Sequence, residues 1–373
     1  MISRTPGPVT RTPVRTPATN PMAAPRLRCS RPVTGGGEAE WRHAVVVCRL
    51  AGTGTSGAGR ADEGGSAVVA LYRNLVFDSS RWSSFAFRDD DIVINTPPKC
   101  GTTWTQMLCA MLVFDATEFD RPLAHISPWL DMQTRSLETV TADLDAQTHR
   151  RFIKTHTPLD GLPVDDRVTY LCVGRDPRDV AISWAHHWDN LDMDAFIALR
   201  ATAVGLDDLA DLGPPPPAPP ADPVERFWQY VDGDGDATPT LASCLEHLQT
   251  FWDRRDQPNV ALFHYSDLST DLPGQLRRLA GVLSITVSED RVEELAAAAT
   301  FDRMKGRATD LAPNSDQGFW RSTEDFFHRG SSGQWRGLLD DKDMNRYWER
   351  VGQLVPSDLA TWAHDGWLGA QQA

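Results

Sequence analysis

The stretch DIVINTPPKCGTTW, residues 91–104, joins a short apolar run to a loop rich in small and polar residues. The run at 91–95 predicts a buried strand, and the apolar segment at 104–114 predicts a buried helix. A helix that starts after such a loop presents backbone N–H groups and the positive end of its dipole to an anion. The stretch therefore predicts a phosphate-binding loop between a strand and a helix.

The side chains of this loop support an anion site. Lys99 adds a positive charge, and Gly101 lets the backbone approach a ligand closely. Thr102 and Thr103 add hydroxyl donors. The lysine precedes the glycine by two positions, so the GxxxxGK[ST] pattern of nucleotide triphosphatases is absent. Taken alone, these residues fit either a phosphate loop of another layout or an ordinary strand-to-helix turn.

Strand and helix patterns alternate along the rest of the chain. Residues 151–155 and 168–174 read as strands, and a loop that leads into a helix follows at 175–188. A further buried run lies at 259–265, before an amphipathic segment at 275–283. We therefore expect a three-layer α/β/α fold with a mostly parallel central sheet and a phosphate-binding loop that is P-loop-like.

Composition divides the 373-residue chain into two parts. Residues 1–66 are rich in Arg, Pro, Thr and Gly and lack periodicity, which predicts a disordered tail. A basic tail for a partner, or a start codon assigned too far upstream, would give the same composition. Residues 67–373 predict a single domain, interrupted by an exposed proline-rich insertion of polyproline II character at 213–223.

Charge and cysteine content narrow the class of protein. The net charge of −14 argues against a nucleic-acid partner, which would require a basic face. None of the six cysteines forms a CxxC pair, a pattern that favours reduced thiols in the cytoplasm. No apolar run reaches the length of a membrane span. We expect a cytoplasmic protein without nucleic-acid or membrane partners.

A second basic loop, in the sequence RDPRDVAISW, precedes the next predicted helix. Arg175 and Ser183 are suited to bind a phosphate, one through a forked charge and one through a hydroxyl. The alternative is a surface ion-pair cluster that also includes Asp176, Arg178 and Asp179. For Arg178 and Asp179 we favour the surface role.

Histidines mark two other segments. In KTHTP, His156 lies just beyond a predicted strand, where α/β sheets bind ligands, and is either a general base or a structural residue. The segment FFHRGSSGQW, at 326–335, predicts either a lid over an anion or a plain surface loop. The pair His186 and His187 follows the helix periodicity poorly, so we assign it to packing or to the surface.

These four segments, in this order, resemble the cytosolic-type sulfotransferases that use 3′-phosphoadenosine-5′-phosphosulfate (PAPS). PPKCGTTW resembles that family's PKSGTTW loop, RDPRDVAISW its 3′-phosphate segment, and FFHRGSSGQW its late RKGxxGDW loop; KTHTP carries its catalytic histidine. The likeness covers residues 70–350. It implies an enzyme that moves a sulfuryl group from PAPS, without a metal, to a hydroxyl or amine of a small acceptor.

The resemblance also implies roles for matching residues in cosubstrate binding. The first loop would hold the 5′-phosphosulfate, and Arg175 and Ser183 would bind the 3′-phosphate. Trp104 would stack on the adenine, beside Tyr265 of HYSDL and Phe301 of TFDRM. The full cosubstrate-binding set implied in this way is Lys99, Cys100, Gly101, Thr102, Thr103, Trp104, Arg175, Ser183, Tyr265, Phe301, His328, Arg329 and Gly330.

The implied catalytic residues are His156, Lys99 and Lys154. Sulfuryl transfer should resemble phosphoryl transfer, with in-line attack and charge spread over the equatorial and leaving oxygens. His156 would deprotonate the acceptor, Lys99 would stabilise the leaving nucleotide, and Lys154 would help with the developing charge.

Three positions depart from the family's pattern. Cys100 replaces a serine, His328 stands where the family has a 3′-phosphate arginine, and Gln334 replaces the aspartate of GDW. The family's C-terminal dimerisation motif is not recognisable in LLDDKDMNRYWE, so the oligomeric state stays open.

Two other functions compete with this one. A P-loop kinase-like enzyme would need a Walker-type lysine and a carboxylate for magnesium, and a non-catalytic nucleotide-binding module would follow from a weakened site. The acceptor itself is not readable, because acceptor pockets are built from loops. Residues 125–132, with Trp129, and the segment after Trp188 are candidates for its walls, which favours an apolar phenol or alcohol.

Overall fold

A computed structural model describes residues 48–49, 69–212, 218–233 and 238–370. The strands of this part of the chain form a two-stranded antiparallel pair, β1 with β2, and a four-stranded parallel sheet in the order β4-β3-β5-β6. They are β1 Cys48–Arg49, β2 Tyr72–Arg73, β3 Ile92–Asn95, β4 Phe152–Thr155, β5 Thr169–Gly174 and β6 Val260–His264.

Helices connect and cover the strands. The α-helices of the described residues are α1 Thr102–Phe114, α2 Leu123–Ile126, α3 Leu137–Ala146, α4 Pro177–Asn190, α5 Met193–Ala203, α6 Pro223–Asp232, α7 Leu241–Trp252, α8 Tyr265–Thr270, α9 Leu272–Val282, α10 Glu289–Ala298, α11 Phe301–Lys305, α12 Ala308–Leu311, α13 Asp341–Leu354 and α14 Ser357–Ala370. Short 3₁₀ helices lie at Ser79–Ser84, Leu159–Gly161, Asp207–Leu212, Ser315–Gln317 and Glu324–Phe326.

Both faces of the parallel sheet are buried. Successive side chains of a strand point to opposite faces, and consecutive residues of the strands belong to two different core clusters. Val93 and Cys172 belong to one core cluster, together with residues of α4, α6, α7, α13 and α14. Ile94 and Leu171 belong to a second cluster, with residues of α1, α9 and α10. The three-layer fold predicted from the sequence is therefore confirmed.

The sheet gathers functional segments at one edge. All four strands run in parallel, so their carboxyl ends meet at the same side of the sheet, which is where α/β proteins bind ligands. The phosphate loop, residues 97–103, follows β3 at the centre of the sheet. His156, Arg175 and Tyr265 follow the ends of β4, β5 and β6. Parallel pairing thus brings together residues that are far apart in the sequence.

The structure describes only part of the predicted tail and part of the predicted insertion. Of the predicted tail, Cys48–Arg49 pairs with Tyr72–Arg73, and the rest of residues 1–66 lies outside the described residues. In the predicted insertion, residues 213–217 also lie outside them. The last proline, Pro223, is the first residue of α6, and the Asp222 side chain caps that helix.

Candidate active site

The phosphate loop turns sharply at the end of β3. Lys99 and Gly101 have φ angles of 68° and 103°, both in the left-handed region. At Gly101 a Cβ would lie 3.1 Å from the Tyr265 ring, so glycine provides both the turn and the close approach. Helix α1 then begins at Thr102 without a side-chain cap. Its first N–H groups are therefore available to an anion.

Cys100 differs from its neighbours in this loop. Its side chain is fully buried, in the core cluster that also holds Cys172 and Cys244, and it does not line the cavity above the loop. Its backbone N–H donates to the Pro97 carbonyl at 3.4 Å, so Cys100 supports the turn of the loop. Thr102 instead anchors the loop to the sheet, through a hydroxyl–hydroxyl hydrogen bond of 2.6 Å to Thr96.

Arg175 connects the phosphate loop to a second loop. It lies at the end of β5 and is only 6% exposed. One Nη donates to the Lys99 carbonyl at 3.0 Å, and the other donates to the Ser331 carbonyl at 3.3 Å. The guanidinium lies 4.3 Å from the centre of the Tyr265 ring. The buried Nε has no hydrogen-bond partner among the described residues, which leaves a donor for a ligand.

Residues 328–335 form the late loop. Asp179 holds it, because the Asp179 carboxylate accepts hydrogen bonds from the Gly333 and Gln334 N–H groups at 2.7 and 2.8 Å. Gly330 has a φ of 63°, and a Cβ there would lie 2.2 Å from the Phe301 ring. The late loop therefore contacts Asp179 through its N–H groups and Phe301 through Gly330, beside the cavity above the phosphate loop.

The surface role predicted for Arg178 and Asp179 is wrong. Asp179 is fully buried and Arg178 is 7% exposed. Arg178 pairs with Asp176 at 2.8 Å and lies over the Trp335 ring at 3.9 Å. Both side chains support the late loop, because their partners belong to it or stack against it. The sequence concealed this role, since the contacts join residues about 155 positions apart.

A stacked pair of histidines borders the late loop. The rings of His328 and His186 are parallel within 24°, with their centres 3.6 Å apart. Burial lowers the pKa of His328, and His186 and Arg329 lower it further by adding nearby positive charge. His328 is therefore a neutral imidazole at pH 7. Its buried Nε2 has no hydrogen-bond partner within the described ranges.

Three aromatic residues frame the other side of the phosphate loop. The Trp104 indole N–H donates to the Ala299 carbonyl at 2.9 Å, which fixes the ring. Trp104 meets Tyr265 edge to face, with ring centres 5.3 Å apart. Phe301 lies against Gly330 of the late loop. All three line the same cavity as Arg175.

His156 lies in this cavity with its tautomer determined by a backbone contact. Its Nδ1 is 2.7 Å from the Thr96 carbonyl oxygen, which only accepts, so Nδ1 carries the proton. Burial holds the His156 pKa well below 6.5, and the positive charge of Lys154 lowers it further. The ring also meets Trp129 edge to face at 4.7 Å. His156 is therefore neutral, with a lone pair on Nε2.

Two lysines share the cavity with His156. Burial, together with Arg175 and Lys154, lowers the pKa of Lys99 to about 7. Burial also lowers the pKa of Lys154 to about 7, against the opposing effect of Asp131. The Lys154 ammonium lies 4.1 Å from the centre of the Trp129 ring. Both lysines would gain from a bound anion, since their positive charges are poorly compensated.

His187 was missed by the sequence analysis. It was assigned to packing or the surface, but it lines the cavity and its Nδ1 lies 3.1 Å from Lys99 Nζ. One signal could have found it: His187 follows Ser183 by four residues in α4, so the two share a helix face. His186, on the neighbouring face, contacts His328 instead.

The rest of the cavity is an apolar wall. Trp129 lies in the predicted segment 125–132, and Leu191 and Met193 lie in the predicted segment after Trp188. Other members were not foreseen, because they come from distant parts of the chain. The wall as a whole comprises Leu75, Phe77, Trp129, Met132, Trp188, Leu191, Met193, Phe196, Phe319, Trp320 and Phe326.

One cavity thus collects all the predicted site residues except Cys100. In the part of the chain that the structure describes, no group of three or more His, Cys, Asp or Glu side chains could hold a metal ion. Within the same ranges, no helix is both long and apolar enough to cross a bilayer. Fold and site together define a phosphate-loop α/β protein with a cationic end and an apolar end in one cavity.

Comparison with known proteins identifies the family. Residues 89–356 match the sulfotransferase domain. A glycolipid sulfotransferase of Mycobacterium bovis (strain BCG / Pasteur 1173P2) is 46% identical over 317 residues, which cover 81% of this chain and 96% of that protein. Sulfotransferase 1E1 of Homo sapiens is 24% identical over 278 residues, covering 72% of this chain and 84% of that protein. The chain belongs to the sulfotransferase family, and the predicted family and enzyme class are confirmed.

Solved structures share the fold. Retinol dehydratase, in complex with androsterone and the inactive cofactor PAP, superposes with a TM-score of 0.59 at 22% identity, covering 79% of this chain and 88% of that chain. Mouse sulfotransferase SULT7A1, complexed with PAP, gives a TM-score of 0.57 at 17% identity, covering 79% and 96%. Membership of this family sets aside the kinase-like alternative.

Proposed function

We propose that this enzyme transfers a sulfuryl group from PAPS to a hydroxyl of an acceptor with a large apolar body, and that His156 is the general base. One observation carries the proposal. A neutral His156, with its lone pair on Nε2, lies in a single cavity between an anion-binding loop and an apolar wall. That arrangement suits proton abstraction from an acceptor that lies beside a phosphosulfate.

The cationic end fits PAPS. The uncapped start of α1 and the Lys99 side chain are suited to the 5′-phosphosulfate. Arg175, whose Nε has no partner among the described residues, is suited to the 3′-phosphate, together with Ser183 and Arg329. Trp104, Tyr265 and Phe301, which surround the loop, would receive the adenine.

The chemical step follows from these positions. The acceptor hydroxyl gives its proton to His156 Nε2 as its oxygen bonds to sulfur. The bond between sulfur and the bridging oxygen of PAPS breaks, and the electron pair leaves with the nucleotide as adenosine 3′,5′-bisphosphate (PAP). Lys99 neutralises the charge that develops on the leaving oxygen, and Lys154 stabilises the charge on the equatorial oxygens.

The apolar end suggests the acceptor class. Its wall is built largely of aromatic side chains, which bury apolar surface and leave little for a charged acceptor to bind. The Mycobacterium bovis relative at 46% identity is named a glycolipid sulfotransferase. We therefore favour a glycolipid as the acceptor, ahead of a phenol or a simple apolar alcohol.

The cellular location is part of the same proposal. Four cysteines within the described ranges, Cys100, Cys109, Cys172 and Cys244, are buried and carry free thiols. Such thiols are typical of a reducing compartment, so we place the enzyme in the cytoplasm. Cell fractionation with an antibody against the chain tests this location.

The function is tested by binding and turnover measured separately. PAP binding is first titrated by calorimetry, and labelled PAPS is then supplied with a glycolipid, a long-chain alcohol, a phenol and an amine. We expect PAP to bind and the glycolipid to be sulfated fastest. Failure to bind PAP would overturn the cosubstrate assignment. Binding followed by transfer only to the amine would overturn the acceptor assignment alone.

A further inference from the structure

Lys99 has a nitrogen partner that the motifs did not assign. Its Nζ lies 3.1 Å from His187 Nδ1 and 4.9 Å from the centre of the Phe326 ring. The His187 ring lies in the last turn of α4, with the rings of Trp184 and Trp320 at 5.3 and 4.9 Å. The imidazole is therefore fixed among aromatic side chains, within hydrogen-bond distance of the lysine.

Charge determines the direction of this hydrogen bond. Burial holds the His187 pKa well below 6.5, and the positive charges of Lys99 and Lys154 lower it further. A neutral imidazole has one nitrogen that accepts, whereas an ammonium group only donates. His187 Nδ1 therefore accepts from the Lys99 ammonium, and a hydrogen bond to the charged form favours that form.

The neighbouring cationic groups disfavour the charge of Lys99. Arg175 at the end of β5 and Lys154 at the end of β4 are both cationic, and they act in the same direction as burial. The Cys100 thiol in the loop itself opposes them only weakly, as the smallest of the four influences. In the late loop, His328 and Arg329 line the same cavity and add no negative charge. His187 is the neutral acceptor placed directly against the Lys99 ammonium.

We propose that His187 is a positioning residue, which holds the Lys99 side chain in place and in its ammonium form before the cosubstrate arrives. The inference rests on the proposed function, because it takes Lys99 as the group that neutralises the leaving nucleotide. With His187 present, a larger fraction of the free enzyme carries a charged Lys99 when PAPS arrives. Without it, Lys99 takes up its proton only as the nucleotide binds, and fewer molecules are competent at neutral and higher pH.

Two substitutions separate this role from packing. His187→Phe keeps an aromatic ring beside Trp184 and Trp320 and removes the acceptor atom. His187→Asn loses the ring and keeps an acceptor oxygen close to the Nδ1 position. A role in packing predicts that the phenylalanine variant is the milder one. A role in holding Lys99 predicts that the asparagine variant is the milder one.

Calorimetric titration with PAP supplies a readout that does not depend on turnover. Repeating it at pH 7 in buffers of different ionisation enthalpy gives the number of protons taken up on binding. Loss of the acceptor should lower the pH at which free Lys99 titrates by about one unit. For that lysine, uptake at pH 7 should rise from about half a proton in the wild type to about nine-tenths in His187→Phe. His187→Asn should stay near the wild-type value.

The Lys99→Met variant is the matched background for the test. His187→Phe should add nothing to proton uptake there, because the group through which it acts is absent. Equal changes in both backgrounds, or wild-type uptake in His187→Phe, would overturn the inference.

Kinetics give a second readout. The basic limb of the kcat/KM profile for PAPS reports the free enzyme, so it should move down by about one pH unit in His187→Phe. The acceptor KM should stay the same. A higher acceptor KM with an unmoved limb would make His187 part of the apolar wall and overturn the inference.

If the wild type failed to bind PAP, the proposed function and this inference would both be overturned. If it bound and turned over while the variants behaved alike, the inference alone would be.

Discussion

At its cationic end the cavity is built from a few unbroken segments, whereas at its apolar end it is built from side chains spread from Leu75 to Phe326. The phosphate loop and the residues after β4 and β5 meet at the cationic end because parallel strands deliver their carboxyl ends to one edge. No comparable rule brings the apolar wall together. One end therefore reflects the fold, and the other reflects how helices and loops pack around it.

The two ends also differ in the forces that a ligand meets. At the cationic end, burial and mutual repulsion lower the pKa values of Lys99 and Lys154 to about 7, so a bound anion relieves an unfavourable arrangement. At the apolar end, the ligand gains mainly by burying its own surface. Nucleotide binding should therefore depend strongly on pH, and acceptor binding should depend on it much less.

His156 lies where the two ends meet, so its removal should have the largest effect. His156→Ala should lower kcat by about 10²- to 10⁴-fold, the usual contribution of a general base. The affinity for PAP should change little, since the proposed role of His156 is to take the acceptor proton and not to bind the nucleotide. Steady-state kinetics with calorimetric PAP titration checks both parts. Retention of more than roughly a tenth of the wild-type turnover would point to another base.

Asp179 offers the next largest effect, and one confined to the cationic end. Asp179→Ala removes the acceptor of two N–H groups in the late loop. Hydrogen bonds to a charged group contribute about 1.5–3 kcal/mol, so PAP affinity should fall between about tenfold and a hundredfold. Asp179→Asn, which keeps one acceptor oxygen, should lie between this variant and the wild type.

The same measurement tests whether the two ends are independent. The acceptor KM of Asp179→Ala, determined at saturating PAPS, should stay close to that of the wild type. A parallel loss at both ends would mean that the late loop also shapes the apolar wall.

The pH dependence of PAP binding sharpens the electrostatic contrast. Above pH 7 the two lysines of the free protein lose protons, while a bound anion favours their charged forms and raises their pKa values. The complex then binds more protons than the free protein, so affinity falls as pH rises, by up to about tenfold per pH unit for each lysine. Below pH 7 both are charged, and this contribution levels off.

Titration of PAP from pH 6 to pH 9 checks this prediction. Lys154→Met should reduce the dependence of PAP affinity on pH by the contribution of one lysine. An affinity that stays constant between pH 7 and pH 9 would show that the lysines remain charged in the free protein, against the effect of burial.

The sequence predicts the cationic end of the cavity better than the apolar end. The strands and the phosphate loop were readable, because each is a local pattern of consecutive residues, as in β3 and α1. Arg175 and Tyr265 could be placed for the same reason, since each directly follows a buried strand.

Roles that depend on side-chain direction or on long-range contact could not be read in this way. Cys100 belongs to the loop motif, yet its side chain lies in the core cluster and does not line the cavity. Asp179 looked like part of a surface cluster, and its late-loop partners lie more than 150 residues away. His187 was recoverable only through its helical spacing from Ser183.

The smallest expected effect concerns His328, where a neutral imidazole stands in place of the family's arginine. His328→Arg should tighten PAP binding up to about tenfold, since a charge-assisted hydrogen bond contributes about 1.5–3 kcal/mol and part of that is lost in ordering the longer side chain. Burial, with His186 and Arg329, lowers the pKa of the native imidazole from 6.5, which reduces its charge at pH 6, so the gain should differ little between pH 6 and pH 8. Adenosine 5′-monophosphate, which lacks the 3′-phosphate, should gain little. Titrating both nucleotides into both proteins at both pH values separates the outcomes. Equal gains for the two nucleotides would show that His328 does not face the 3′-phosphate. No gain for PAP would show that Arg175, Ser183 and Arg329 suffice to bind that phosphate.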